Sequence, residues 1–170
     1  MKTAGIFVAV AAALALQTTL GRMIVRVNTA VDFVLVVVVY VALTSGPVTG
    51  LLTGALAGLV QDALSSGVVG IGALAKTIVG FLAGIVGTNF IVAQSLPRFV
   101  VFIGATVLHA LIFIGLYVLL ELRHFGAPYG VVAGQALGNA AVGVIAFQLT
   151  ELLPGAVERR RASSRTRLRR

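Results

Sequence analysis

The sequence predicts an all-α integral membrane protein, a compact bundle of six transmembrane helices, and three observations carry that expectation. Of the 170 residues 59% are hydrophobic and only 11% are charged, with a mean hydropathy of +1.08. So little charge cannot coat a water-soluble domain, whereas a bilayer solvates an apolar exterior. The apolar residues fall into six stretches, about 28 residues each with its loop, which leaves room for a span of roughly 20 residues and little more. Within three stretches glycines recur at four-residue spacing: Gly50, Gly54 and Gly58; Gly80 and Gly84; Gly130, Gly134 and Gly138. Lipid gives helices little hydrophobic reason to associate, so close backbone approach at small residues supplies much of the attraction. All eight are therefore read as helix-packing positions. Open sheets are excluded because their unpaired backbone groups cannot sit in hydrocarbon. The run Val34-Leu35-Val36-Val37-Val38-Val39 lacks the alternation of a barrel strand.

The first stretch covers residues 4–20 behind Lys2. Its Ala13-Leu14-Ala15 mimics a signal-peptide cleavage site. The apolar run continues past it, so a retained first helix is expected. The second, 31–44, opens on Asp32, which suits the positive end of the helix dipole and has Arg22 and Arg26 as candidate partners. Ser45-Gly46-Pro47 is a short link, so the third stretch, 48–64, returns antiparallel to the second; it is short for a crossing. Ser65-Ser66-Gly67 breaks it. The fourth covers 69–88. The fifth covers 99–120, after a loop with Asn89, Gln94, Pro97 and Arg98. The sixth covers 131–153, with Pro154-Gly155 as its stop. Domain organisation follows: a transmembrane domain over 1–157 and a basic tail over 158–170, expected to be disordered on its own.

Net charge is +8, and seven of the thirteen basic residues lie in that tail: Arg159, Arg160, Arg161, Arg165, Arg167, Arg169 and Arg170. Six spans put both termini on one side. That side carries Lys2, Arg98 and the tail, against Arg22, Arg26 and Arg123 on the other. Basic residues accumulate on the cytoplasmic side, so both termini are expected there. The tail suits anionic lipid at about 1 kcal/mol per basic residue near the surface; a cytoplasmic protein is its alternative partner. Nucleic acid is not expected, because the tail lacks stacking aromatics.

Two charges inside the apolar stretches stand out. Asp62 extends the series Gly46, Gly50, Gly54, Gly58 by another step of four, and Lys76 lies within the series Gly72, Gly80, Gly84. Steps of four drift by about 40° per turn, so each set forms a slanting stripe on one helix face. Asp62 and Lys76 are therefore a candidate buried ion pair or polar site. The competing reading leaves Asp62 in water, with Lys76 snorkelling toward the surface. His109, mid-stretch, and the trio Gln17, Gln135 and Asn139 are read chiefly as interhelical hydrogen-bonding groups; the sharper alternatives are a proton relay or ligand site at His109 and a ligand pocket at the amides. Gly70-Ile71-Gly72-Ala73-Leu74-Ala75-Lys76-Thr77 approaches a phosphate-binding loop but has Ala75 in place of the second glycine, and its apolar setting is wrong. The absence of cysteine excludes disulfides, thiolate metal sites and cysteine nucleophiles. No metalloprotease or serine-hydrolase motif occurs. No enzyme activity, cofactor or metal is expected.

The stretch Gly50-Leu51-Leu52-Thr53-Gly54-Ala55-Leu56-Ala57-Gly58-Leu59-Val60-Gln61-Asp62-Ala63-Leu64, followed by Gly67, Gly70, Gly72, Ala75-Lys76-Thr77 and Gly80-Phe81-Leu82-Ala83-Gly84, resembles the signature region of the bacterial rod shape-determining protein MreD family. Gln17-Thr18-Thr19-Leu20, and a Val-rich second helix opened by Asp32 and closed by Tyr40-Val41-Ala42-Leu43, fit as well. The resemblance covers about the first half of the chain. It implies a non-enzymatic membrane scaffold of the cell-elongation complex in the bacterial inner membrane. Such a scaffold binds an MreC-like single-span protein and acts, less directly, with MreB-type filaments and the elongation peptidoglycan synthases. The alternative is a vitamin-type substrate-binding subunit of an uptake transporter, which is also a compact six-helix protein.

Overall fold

The computed structural model describes residues 3–23, 31–65, 67–90, 94–122 and 129–167. Six helices follow in order: α1 Thr3–Met23, α2 Phe33–Ser45, α3 Pro47–Leu64, α4 Ile71–Asn89, α5 Ser95–Leu119 and α6 Tyr129–Arg167. Five contain apolar segments long enough to cross a bilayer. The exception is α2, whose 13 residues rise only about 20 Å. It is nevertheless the centre of the bundle. Val34, Leu35, Val36, Val38, Val39, Val41 and Ala42 are all buried, and α2 touches each of the other five helices. A helix that is apolar all round belongs in an interior, and the surrounding helices carry the lipid-facing surface.

Gly46 joins α2 to α3 by itself, at φ 88°, a left-handed conformation that glycine adopts without steric cost. Pro47 opens α3, where its missing N–H would have had no helical partner anyway. Pro97 likewise falls in the first turn of α5, so that helix begins at Ser95 rather than at the expected residue 99.

The glycine stripes of α3 and α4 meet face to face. A Cβ on Gly50 would collide with the Gly80 carbonyl, one on Gly54 with the Lys76 carbonyl, one on Gly58 with the Ala73 backbone, and one on Gly84 with Pro47. That register makes the pair antiparallel and in backbone contact. The α6 glycines behave differently. Added methyls on Gly130 and Gly134 would meet nothing within 4 Å, and Gly138 is half-buried. The expectation that Gly130 and Gly134 pack a helix of this chain is corrected. The spacing permits a close approach, but no described helix of this chain occupies that face. Gly143 of α6, by contrast, is in close contact, with the Phe102 ring lying over it.

The α6 backbone also continues through Pro154-Gly155 to Arg167, past the stop read from the sequence. A proline removes one helical hydrogen bond, which membrane helices tolerate. The residues beyond it, Ala156, Glu158, Arg159–Arg161 and Ala162, are mostly strong helix formers. Arg169 and Arg170 lie outside the described residues.

Candidate polar site and cavity

At one end of the bundle α5 and α6 are joined by charge. The Arg98 guanidinium, buried on α5, donates to Glu151 on α6 at 2.6 Å and lies 4.3 Å from the centre of the Phe147 ring. The polar residues singled out within the spans gather toward the other end.

Asp32 precedes α2 and caps it: its Oδ1 accepts from the Leu35 N–H at 3.0 Å. Its Oδ2 lies 2.9 Å from Lys76 Nζ, with both side chains buried. Lys76 Nζ is also 3.2 Å from His109 Nε2 on α5. An ammonium has donors only, so Nε2 must be the acceptor, and His109 is then neutral with its proton on Nδ1. Three helices are thus tied through one ammonium. A second relay runs beside the first. The Asp32 N–H donates to Asn139 Oδ1 at 2.8 Å, Asn139 Nδ2 donates to Thr106 Oγ1 at 3.0 Å, and Thr106 donates to the Phe102 carbonyl at 2.8 Å. Gln17 finishes the α2 N-terminus. Its Oε1 accepts from the Phe33 N–H at 2.9 Å and its Nε2 donates to the Val31 carbonyl at 3.3 Å. Buried polar groups need partners, and these residues satisfy one another across α1, α2, α4, α5 and α6.

The expected pairing of Asp62 with Lys76 is corrected: Lys76 pairs with Asp32. Asp62 lies at the same end of the bundle, but its Oδ2 accepts from the Gly70 and Ala73 N–H groups at 2.9 and 3.0 Å. It caps α4, satisfying donors that a helix N-terminus leaves open and placing negative charge at the positive end of its dipole. Oδ1 lies against the Gly72 Cα, where a methyl would not fit. The side chain of Arg22 and the whole of Arg26, the earlier candidates for Asp32, are outside the described residues. Asp62→Ala should cost about 1 kcal/mol, as other cap losses do. Hydrogen exchange at Gly70 and Ala73 should accelerate while exchange in α2 stays unchanged.

Sequence reasoning recognised Asn139, Gln17 and His109 as interhelical groups but missed Asp32 as the partner of Lys76. A signal existed. A lysine within a span needs a counter-charge, and Asp32 and Lys76 both lie near the same ends of their helices. It also missed the Arg98–Glu151 pair.

The polar cluster borders a cavity of about 610 Å³. Asp32, Lys76 and His109 line it from α2, α4 and α5; Gln61 and Asp62 line it from α3. His109, Phe113 and Tyr117 stack along α5, with centroids 5.8 and 4.8 Å apart. Gln61 Oε1 is buried and, among the described residues, accepts no hydrogen bond. No group of three or more histidine, aspartate or glutamate side chains suited to a metal ion occurs among the described residues.

The family model described as rod shape-determining protein MreD matches residues 2–153, all six apolar segments. Neither a curated protein nor a solved structure matches.

Proposed function

The chain belongs to the MreD family of rod shape-determining membrane proteins, and from that premise we propose that it is a non-enzymatic scaffold of the bacterial cell-elongation complex. In this reading it sits in the inner membrane with both termini in the cytoplasm. It binds an MreC-like single-span scaffold protein, and through it helps organise the elongation peptidoglycan synthases and MreB-type filaments. The observation that carries the proposal beyond the family is the use of the buried polar groups. Asp32, Lys76, His109, Asn139 and Thr106 are bonded to one another, an arrangement that fixes helices in place. The arginine-rich segment 158–170 is assigned to anionic lipid at the cytoplasmic surface.

Two measurements test this. Reporter fusions at Lys2 and Arg170 should both read cytoplasmic, and a periplasmic signal at either end would defeat the topology. Detergent pull-down of the intact protein should recover a single-span protein with a large periplasmic part. The alternative, a vitamin-type substrate-binding subunit, is favoured by the cavity alone. It would show itself as recovery of a bound vitamin and transporter subunits without the scaffold.

A further inference from the structure

The cavity has two properties that together define what it accepts. The first is its electrostatics. Asp32 and Lys76 neutralise each other at 2.9 Å, and the Asp62 carboxylate is held by the N-terminus of α4 through Gly70 and Ala73. Among the described lining residues only the Asp62 carboxylate lacks a full counter-charge, which disfavours an anionic head group. What remains is acceptor capacity: the buried Gln61 Oε1, which has no donor among the described residues, and the Asp62 Oδ1 above Gly72. A buried acceptor left unmet costs about 1–3 kcal/mol, so a ligand bringing O–H or N–H donors gains what the protein alone forgoes. The Phe113 and Tyr117 rings offer an apolar wall next to these acceptors.

The second property is its side wall. The cavity is lined by Leu14 and Thr18 of α1 on one side and by Val131, Val132 and Gln135 of α6 on the other. Among the described residues no Cα of α1 lies within 8 Å of a Cα of α6. The lining residues of both helices fall inside the apolar spans Thr3–Leu20 and Tyr129–Leu152. The gap between the two helices therefore lies toward the ends of these spans, with Leu14, Val131 and Val132 as apolar side chains at its rim beside Gln17, Thr18 and Gln135. A wholly water-soluble ligand would have little to gain from such a rim, whereas an acyl chain can lie in it.

We propose that this cavity is a binding site for a neutral amphiphile, with its hydroxyl-bearing head donating to Gln61 and Asp62 and its apolar chain leaving between α1 and α6 into the membrane. The volume lies within the roughly 300–1,000 Å³ of ordinary small-molecule sites, enough for a head group with part of its chain. The site does not depend on the scaffold reading, and its test uses no partner protein.

The full chain is placed in phosphatidylcholine nanodiscs, which avoid sugar-headed detergents that would themselves occupy the site. Three probes are added separately: 1-monooleoylglycerol, methyl oleate with the same chain and no hydroxyl, and free glycerol. Retained adducts are counted by native mass spectrometry. Monooleoylglycerol should be retained at least about tenfold better than either of the others, a difference near 1.4 kcal/mol. Gln61→Leu, which removes the unmet acceptor, should abolish most of that preference. Val132→Phe, which narrows the gap beside α6, should weaken retention of monooleoylglycerol. If Gln61→Leu does not fold, the Val132 variant and the three-probe comparison decide alone. Equal retention of methyl oleate would show ordinary lipid contact and overturn the site. Equal retention of free glycerol would overturn the lateral opening. A folded Gln61→Leu protein with undiminished preference would overturn the assigned head-group contact.

Discussion

Replacing Lys76 with methionine should cost the bundle about 3–5 kcal/mol, the usual consequence of stranding one member of a buried ion pair. The Asp32 carboxylate would lose its counter-ion at 2.9 Å, and His109 Nε2 would lose its donor at 3.2 Å. Asp32→Asn should cost a similar amount from the other side, because the ammonium is then left without compensating charge. Asparagine retains a side-chain oxygen for the Leu35 cap, so the loss reports charge rather than capping. The double variant should recover a substantial part of the two losses, since no charge then remains unpaired. The same cycle between Lys76 and Asp62 should give a much smaller coupling, because the Asp62 bonds run to the Gly70 and Ala73 amides. The measurement is equilibrium unfolding in mixed micelles, with rod-shape complementation as the cellular readout. Additive losses for Lys76 and Asp32 would mean that the pair does not act as a unit.

The contrast between those cycles shows where the sequence stops being informative. Six helices and their approximate bounds can be read from it, because apolar length and turn residues act locally. The antiparallel pairing of α2 with α3 can be read too, since Gly46-Pro47 forces a return. Which helix lies beside α4 at the depth of Lys76 is a different kind of fact. It depends on α2 occupying the centre, and a run of valines looks alike whether lipid or protein surrounds it. Asp32 and Asp62 were both available to Lys76 by residue type and by depth; the placement of α2 decided between them. The α6 glycines teach the same lesson. Gly130 and Gly134 repeat the spacing of Gly50 and Gly54, yet only the latter have a backbone opposite them. Spacing states what a helix face permits, and the global packing decides whether anything uses it. The cavity was legible only in fragments. Gln17, Gln61, Gln135 and His109 are far apart in the chain, and no local pattern says that they border one space.

The glycine face of α3 supplies the other large expected effect. Gly54→Leu should unfold the domain or displace α4, because the position opposite is the Lys76 backbone carbonyl and peptide bond. A flexible side chain could swing aside; a helix backbone held by its own hydrogen bonds cannot, so the two helices must separate. Overpacked cores typically lose 1–3 kcal/mol and occasionally more, and a backbone wall places this substitution at the upper end. Separation would also draw Lys76 away from Asp32, adding loss of the ion pair to loss of packing. Even Gly54→Ala should be clearly destabilising, since the first added carbon already collides. Two controls isolate the cause. Leu52 is 54% exposed on the same helix, so Leu52→Phe should stay within about 0.5 kcal/mol, as surface changes do. Gly134→Leu lies on a face with nothing within 4 Å and should leave the domain folded, although it removes a glycine at the same four-residue spacing. Thermal unfolding of the purified variants checks all four. If Gly134→Leu proves as damaging as Gly54→Leu, glycine content rather than the α3–α4 backbone contact is what the fold requires.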